Sequence, residues 1–415
     1  MRWLPSRFAL LLACVAWGCG PEAQVRQARP MPFVAKPARA PADAGGLPGR
    51  ALDVRDELSA VSRERGLATL RPVTARSVSA AEFRRLISEL VERRSSAGRM
   101  WAFERLLRLF GVVEPTFDYR RAVIALFDDN AEAVYDPDRG ALFVRTDLDL
   151  LRRRAAILHE LVHALQDQHF GLGALSSSEL DTDRKSALLA VCEGDALWTT
   201  QALLGEASGD SAPSSAPAPL SGRGARTPSV LVESFRAPYV AGFEFVRRLI
   251  ERGEASERDR AFLAPSLSTE QVLHWDKWVK GEPAVDVPVP LAPPVRVELV
   301  HADTVGEQAL ALLLLELGGT SDNLAKVGWG GDRLAVYRAG DDAFVGWVIR
   351  FDDQEAAKRA SSALPGGRAA CARASGVGRT TWLVSDSTLI WAGVAGAGTS
   401  CALLLDWARS LADSR

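Results

Sequence analysis

Apolar residues recur at helical spacing along much of the first two thirds of the chain. Leu52, Val54, Leu58 and Val61 fall two to four apart, close to the repeat of one helix face, and the pattern from 51 to 110 reads as helical. Ser79 stands three residues ahead of Glu82, before Phe83, Leu86 and Leu90, a capping box opening an amphipathic helix. Another helix is expected over 100–110, stopped by Gly111. The period then shortens. Residues 122–127 form a brief apolar run and predict a strand. Residues 131–135 and 141–145 flank Asp136-Pro137-Asp138-Arg139-Gly140, where Pro presets φ and Gly supplies a left-handed position, so a hairpin is expected. Helical spacing returns from Asp147 or Asp149 to about Phe170, where Gly171 and Gly173 end it, and again over 181–204. Pro238 starts a further helix, and Ser268 with Gln271 has the spacing of a helix cap. From 296 to about 410 both periods alternate. A helix is expected over 305–317, strands over 333–338 and 343–351, a helix over 354–364, and two strands within 379–394. Residues 328–332 read as a turn, and no Lys or Ser/Thr follows where a phosphate loop needs one.

The helix ending near Phe170 carries the chemistry. It contains His159-Glu160-Leu161-Val162-His163, the pattern H-E-x-x-H, in apolar surroundings free of Gly and Pro. Residues four apart lie one above the other on a helix, so both imidazoles face the same way and can share one metal ion. Glu160 lies about 100° round the helix, placed to act as general base on a water at that metal. Zinc needs a third protein ligand and an open position. Glu193, in the middle of the next helix among Leu189, Ala190, Val191 and Ala196, is the candidate, because a carboxylate in apolar surroundings needs a partner. The alternative is a solvated helix charge. Gly194 is expected to let this helix approach the H-E-x-x-H helix closely. Asp195 is expected to orient a ligand imidazole through its N–H. Gln166, Asp167 and Phe170 fall on or near the histidine face, with Asp167 a supporting residue. His169 falls off it.

Composition narrows the setting. The 415 residues are 47% hydrophobic, with a formal net charge of −2. That is ample for real cores, and the absence of a long Lys/Arg block excludes a nucleic-acid footprint. Arg2 and Arg7 precede an apolar run over 8–17 that is too short to span a bilayer, and Gly18-Cys19-Gly20 follows. Residues 1–19 therefore read as an export signal of the lipoprotein type, with Cys19 acylated. An ordinary secretory signal is the alternative. Residues 20–50, rich in Pro, Ala and Arg, read as a disordered tether. Residues 51–290 make one expected domain and 296–415 a second, smaller α+β unit. A Gly/Ser/Ala/Pro insertion at 206–227 is expected to be disordered. Cys192 reads as a buried free thiol. Cys371 and Cys401 are available to pair in an oxidising compartment, which spacing alone leaves open.

The pattern His159-Glu160-x-x-His163 with Glu193 one helix later resembles the gluzincin clan of metallopeptidases. More narrowly, 159–170, 193–196, 265–274 and 328–333 resemble a poorly characterised family of bacterial envelope lipoproteins, over most of the mature chain. The clan implies an α+β, zincin-like, mainly helical domain with a small sheet upstream of the active-site helix. It also implies Zn²⁺ and hydrolysis of a peptide or protein substrate. In such enzymes an edge strand near the metal pairs with extended substrate, and 141–145 is the candidate. Tyr and His residues stabilise the oxyanion there, for which Tyr239 and His274 are candidates. The narrower family implies a protein of the cell envelope, lipid-anchored to a membrane surface facing the periplasm or to the outer membrane. The rival reading is a non-catalytic envelope lipoprotein with a structural zinc site, acting in binding or scaffolding.

Overall fold

The computed structural model describes residues 46–413, apart from 95, 174–179, 206–226, 254, 319–326, 365–366, 369–370, 375–377 and 397–399. The expected signal with Cys19, most of the tether and all but the last residue of the 206–227 insertion lie outside the described residues. The fold is mixed α+β with two sheets. The first sheet has four strands: β1 (Arg50–Leu52), β2 (Thr74–Val78), β3 (Ala133–Asp136) and β4 (Ala141–Arg145), in the order β1-β2-β4-β3. β2 and β4 are parallel, and the outer pairs are antiparallel.

Around this sheet pack α1 (Arg55–Arg65), α2 (Ala80–Arg94), α3 (Ala97–Leu109), α4 (Tyr119–Asn130), α5 (Leu150–Phe170), α6 (Thr182–Leu204), α7 (Ser229–Glu251) and α8 (Ala255–Leu263). α5 is the central element. Every residue from Ala155 to Asp167 is buried, as expected of a helix covered on all sides, and it contacts α1, α6, β3 and β4. Its ends are set locally. The Asp149 carboxylate accepts from the Arg152 N–H at 2.9 Å, and Gly171, at φ 69°, turns the chain out. Asp181 and Gly205 bound α6 in the same way.

Several expectations are corrected. The 51–110 stretch is not wholly helical, since it holds β1 and β2. Residues 122–127 belong to α4, not to a strand. The strand 141–145 lies between β2 and β3, so the edge strand of the hairpin is β3. Pro238 lies inside α7 instead of opening it. Gly194 brings α6 against α7, not α5: a Cβ at Gly194 would overlap the Gly242 carbonyl, and one at Gly242 would overlap the Ala190 carbonyl.

After α9 (Thr269–Leu273) and α10 (Trp275–Lys280) comes the second unit. It contains β5 (Glu298–Asp303), α11 (Glu307–Glu316), β6 (Trp329–Ala339), β7 (Asp342–Phe351), α12 (Gln354–Ala363), β8 (Gly367–Arg368), β9 (Ala372–Ala374), β10 (Gly378–Ser385), β11 (Thr388–Ala395) and α13 (Cys401–Asp413). The seven-stranded sheet runs β5-β6-β7-β11-β10-β8, with β9 on β10. The expected 328–332 turn is not formed: Gly328, at φ 65°, leads directly into β6 at Trp329, with a register shift before Gly331. One face of this sheet packs with α11, α12, the α3 side chains Ala102, Leu106 and Leu109, and Phe110 just after that helix. α13 covers the other through Leu404, Trp407 and Leu411. Leu107 of α3 belongs to the first core, so this helix serves both units. Cys371 and Cys401 form a disulfide that joins α13 to the sheet. Among the described residues no helix is long and apolar enough to cross a membrane.

Candidate metal centre

α5 and α6 bring His159, His163 and Glu193 together. One ligand atom from each lies within 4.8 Å of the others, and all three side chains are fully buried. The two Nε2 atoms are 2.9 Å apart. Glu193 Oε2 is 3.1 Å from His159 Nε2, and Oε1 is 3.5 Å from His163 Nε2. A tetrahedral cation with bonds near 2.0–2.1 Å separates its ligand atoms by about 3.3 Å, so the donor set has spacing that fits one metal ion. Burial pushes His159 down to about 3, and His163 down to about 4 despite the opposing charge of Glu193. Both imidazoles are thus neutral near pH 7, the form that ligates. Burial lifts Glu193 to about 7, against the pull of His163 and a hydrogen bond donated by the Tyr239 phenol. A buried group of this kind could hold a metal ion.

Glu160 is also fully buried, close enough to Glu193 to feel its charge. The Tyr135 backbone N–H, on β3, donates to its Oε2 at 2.7 Å, while its Oε1 is buried with no hydrogen-bond partner. Burial and then the charge of Glu193 raise its carboxyl well above the usual range, and the Tyr135 N–H only partly offsets them.

A family model described as a domain of unknown function (DUF8575) matches residues 295–395. No curated protein and no solved structure matches the chain. The matched residues are about a quarter of the chain; they lie in the second unit and include none of the three ligands.

The remaining expected site residues divide. Tyr239 reaches the group: besides its bond to Glu193, its ring stacks on His159 with centroids 6.5 Å apart. His274 does not join it. Its Nε2 pairs with Glu307 of α11 at 3.0 Å, which raises its pKa, and its side chain is 28% exposed while the ligands are sealed. Its place at the end of α9 turns it toward the second unit. Asp195 touches neither imidazole, contrary to expectation. Gln166 stands between, with Oε1 2.7 Å from His163 Nδ1 and Nε2 2.9 Å from Asp195 Oδ2. Asp167 accepts from the Tyr135 phenol at 3.0 Å, so it supports the residue that holds Glu160. His169 lies off the site, on the Ala68 carbonyl at 2.7 Å. Cys192 is a buried free thiol. Sequence reasoning missed Tyr135, whose contribution is a backbone N–H that no residue type announces.

Proposed function

We propose that the protein is an exported, lipid-anchored zinc metallopeptidase of gluzincin-like, zincin-type fold, with His159, His163 and Glu193 as ligands and Glu160 as general base. The observation that carries the reading is the convergence of those three donors near a second carboxylate, Glu160, with one unsatisfied oxygen. A structural site has no use for that carboxylate. A divalent cation supplies Lewis acidity there, polarising a peptide carbonyl and making water nucleophilic at neutral pH. The chain's own residues do the rest. The Tyr135 N–H fixes Glu160 Oε2, which leaves Oε1 to take up the proton of the attacking water and pass it on to the leaving amine. The Tyr239 phenol, which donates to Glu193 in the metal-free site, would turn its one O–H to the oxyanion once a cation held that carboxylate. The Cys371–Cys401 disulfide fits an oxidising compartment and so supports export.

One observation favours a second reading. The four polar side chains have no exposure at all, as in a closed structural site. A metal assay paired with digestion of a peptide library separates the two. Wild type is expected to bind zinc and cleave; Glu160→Gln is expected to keep zinc and lose at least about 100-fold in turnover. Undiminished hydrolysis by Glu160→Gln sinks the proposed base. A zinc-loaded wild type that cleaves nothing, and unfolds when zinc is removed, establishes the structural reading.

A further inference from the structure

We propose that Gln166 is the positioning residue for His163, and that Asp195, clamped between two arginines, keeps Gln166 in that role. The purpose assigned to this relay rests on the metal reading above, but its geometry does not.

The argument starts at the far end. Asp195 is fully buried in the middle of α6. Two guanidinium groups close on its carboxylate, one at each oxygen. Arg65 Nε donates to Oδ2 at 2.6 Å, and Arg258 Nη1 donates to Oδ1 at 3.1 Å. Arg65 is itself buried and is shared with Asp259 at 2.7 Å. Asp195 is therefore an ionised carboxylate, which can only accept. Gln166 Nε2 faces this carboxylate at 2.9 Å and the Cys192 carbonyl at 3.0 Å. Both partners are acceptors, so the amide end of Gln166 must be the one that faces them. Its Oε1 is left facing His163 Nδ1 at 2.7 Å. A carbonyl oxygen needs a donor, so Nδ1 carries the proton. In a neutral imidazole protonated at Nδ1, Nε2 bears a lone pair, and here it faces His159 Nε2 and Glu193. An amide orientation and an imidazole tautomer are otherwise ambiguous; here two acceptors and a pair of cations fix both.

Asp195 in direct contact with His163 would set the same tautomer. With Gln166 interposed, His163 faces a neutral acceptor, and the carboxylate charge is spent on Arg65 and Arg258. The imidazole then gains no anionic partner beyond Glu193. Ligands held this way by a neighbouring acceptor typically lose 10–100-fold in metal affinity when that acceptor is removed.

The test uses the full-length protein labelled with ¹⁵N, together with Gln166→Met and Gln166→Leu, which remove the acceptor while keeping an apolar side chain of similar bulk. Long-range ¹H–¹⁵N correlations on metal-free wild type are expected to show His163 protonated at Nδ1 and bare at Nε2. The variants are expected to show mixed His163 tautomers with the His159 signals unmoved, a selectivity that general loosening of the fold would not give. Zinc affinity, read by competition with a chromophoric chelator, is expected to fall 10–100-fold. A wild-type His163 protonated at Nε2 overturns the inference without any variant. So do variants that fold and retain both the tautomer and the affinity. A wild type with the expected tautomer that binds no zinc leaves the relay standing and removes the metal reading instead.

Discussion

Glu193 shows how far a single buried side chain can set the behaviour of the site. Burial raises its carboxyl from the ordinary 4.5 to about 7. In the metal-free protein the folded state therefore holds a proton that the unfolded chain releases near pH 4.5. The stability associated with that proton is complete below about 4.5 and is lost as pH rises through about 7, a change of about 3 kcal/mol. Glu160, raised in the same direction, adds to the slope. A bound cation holds Glu193 ionised and abolishes its share of the loss. The denaturation midpoint of chelator-treated protein is thus expected to fall between pH 5 and pH 8, and that of zinc-loaded protein to stay nearly level. Parallel pH profiles would show that Glu193 does not meet the cation. At this scale the sequence was informative where chemistry depends on spacing. His159 and His163 had to share a face, and Glu193 needed a partner. Gln166 was visible only as a neighbour on that face, because its role depends on Arg65 and Arg258, which lie 101 and 92 positions away along the chain.

Between elements, the close crossing of α6 and α7 controls the site's geometry. Gly194 and Gly242 let the backbones touch, and neither has room for a methyl group. Gly194→Ala is expected to push α7 outward and cost about 1–3 kcal/mol, read as a lower denaturant midpoint. It should also draw the Tyr239 phenol away from Glu193. Unchanged stability would mean that the helices part without strain. That crossing was anticipated for the wrong partner, since a glycine marks a close approach but not what approaches. The α4 segment was misjudged for a different reason. Its apolar run is short enough to fit either period, and the deciding residue lies outside it: the Asp118 carboxylate accepts from the Arg121 N–H at 2.9 Å. β2 was hidden between two helices and is held by its pairing with β4, a contact no local pattern carries. The long alternating strands β6, β7, β10 and β11 were legible, because period two over eight or more residues has no helical rival.

Over the whole molecule, two cores meet along α3, and the far end of the second is fastened by the disulfide. Cys371 and Cys401 are 30 positions apart, and closing a loop of that size stabilises the fold by about 3–4 kcal/mol. Cys371→Ser with Cys401→Ser is expected to lower the unfolding free energy by that amount while leaving zinc affinity unchanged, because the core residues of α5 and α6 lie in the other core. A parallel loss of zinc would show that the effect reaches α6 through its direct bonds to the second unit, where the Thr182 N–H donates to Asp303 at 2.8 Å. The candidate site has no opening to solvent at its four polar side chains, so the proposed hydrolysis requires part of its wall to give way. One segment of that wall is already short of a rung. Pro238, within α7, has no N–H to offer the Ser234 carbonyl one turn back. The helix that carries Tyr239 against the candidate metal site thus lacks one backbone hydrogen bond one residue before that side chain.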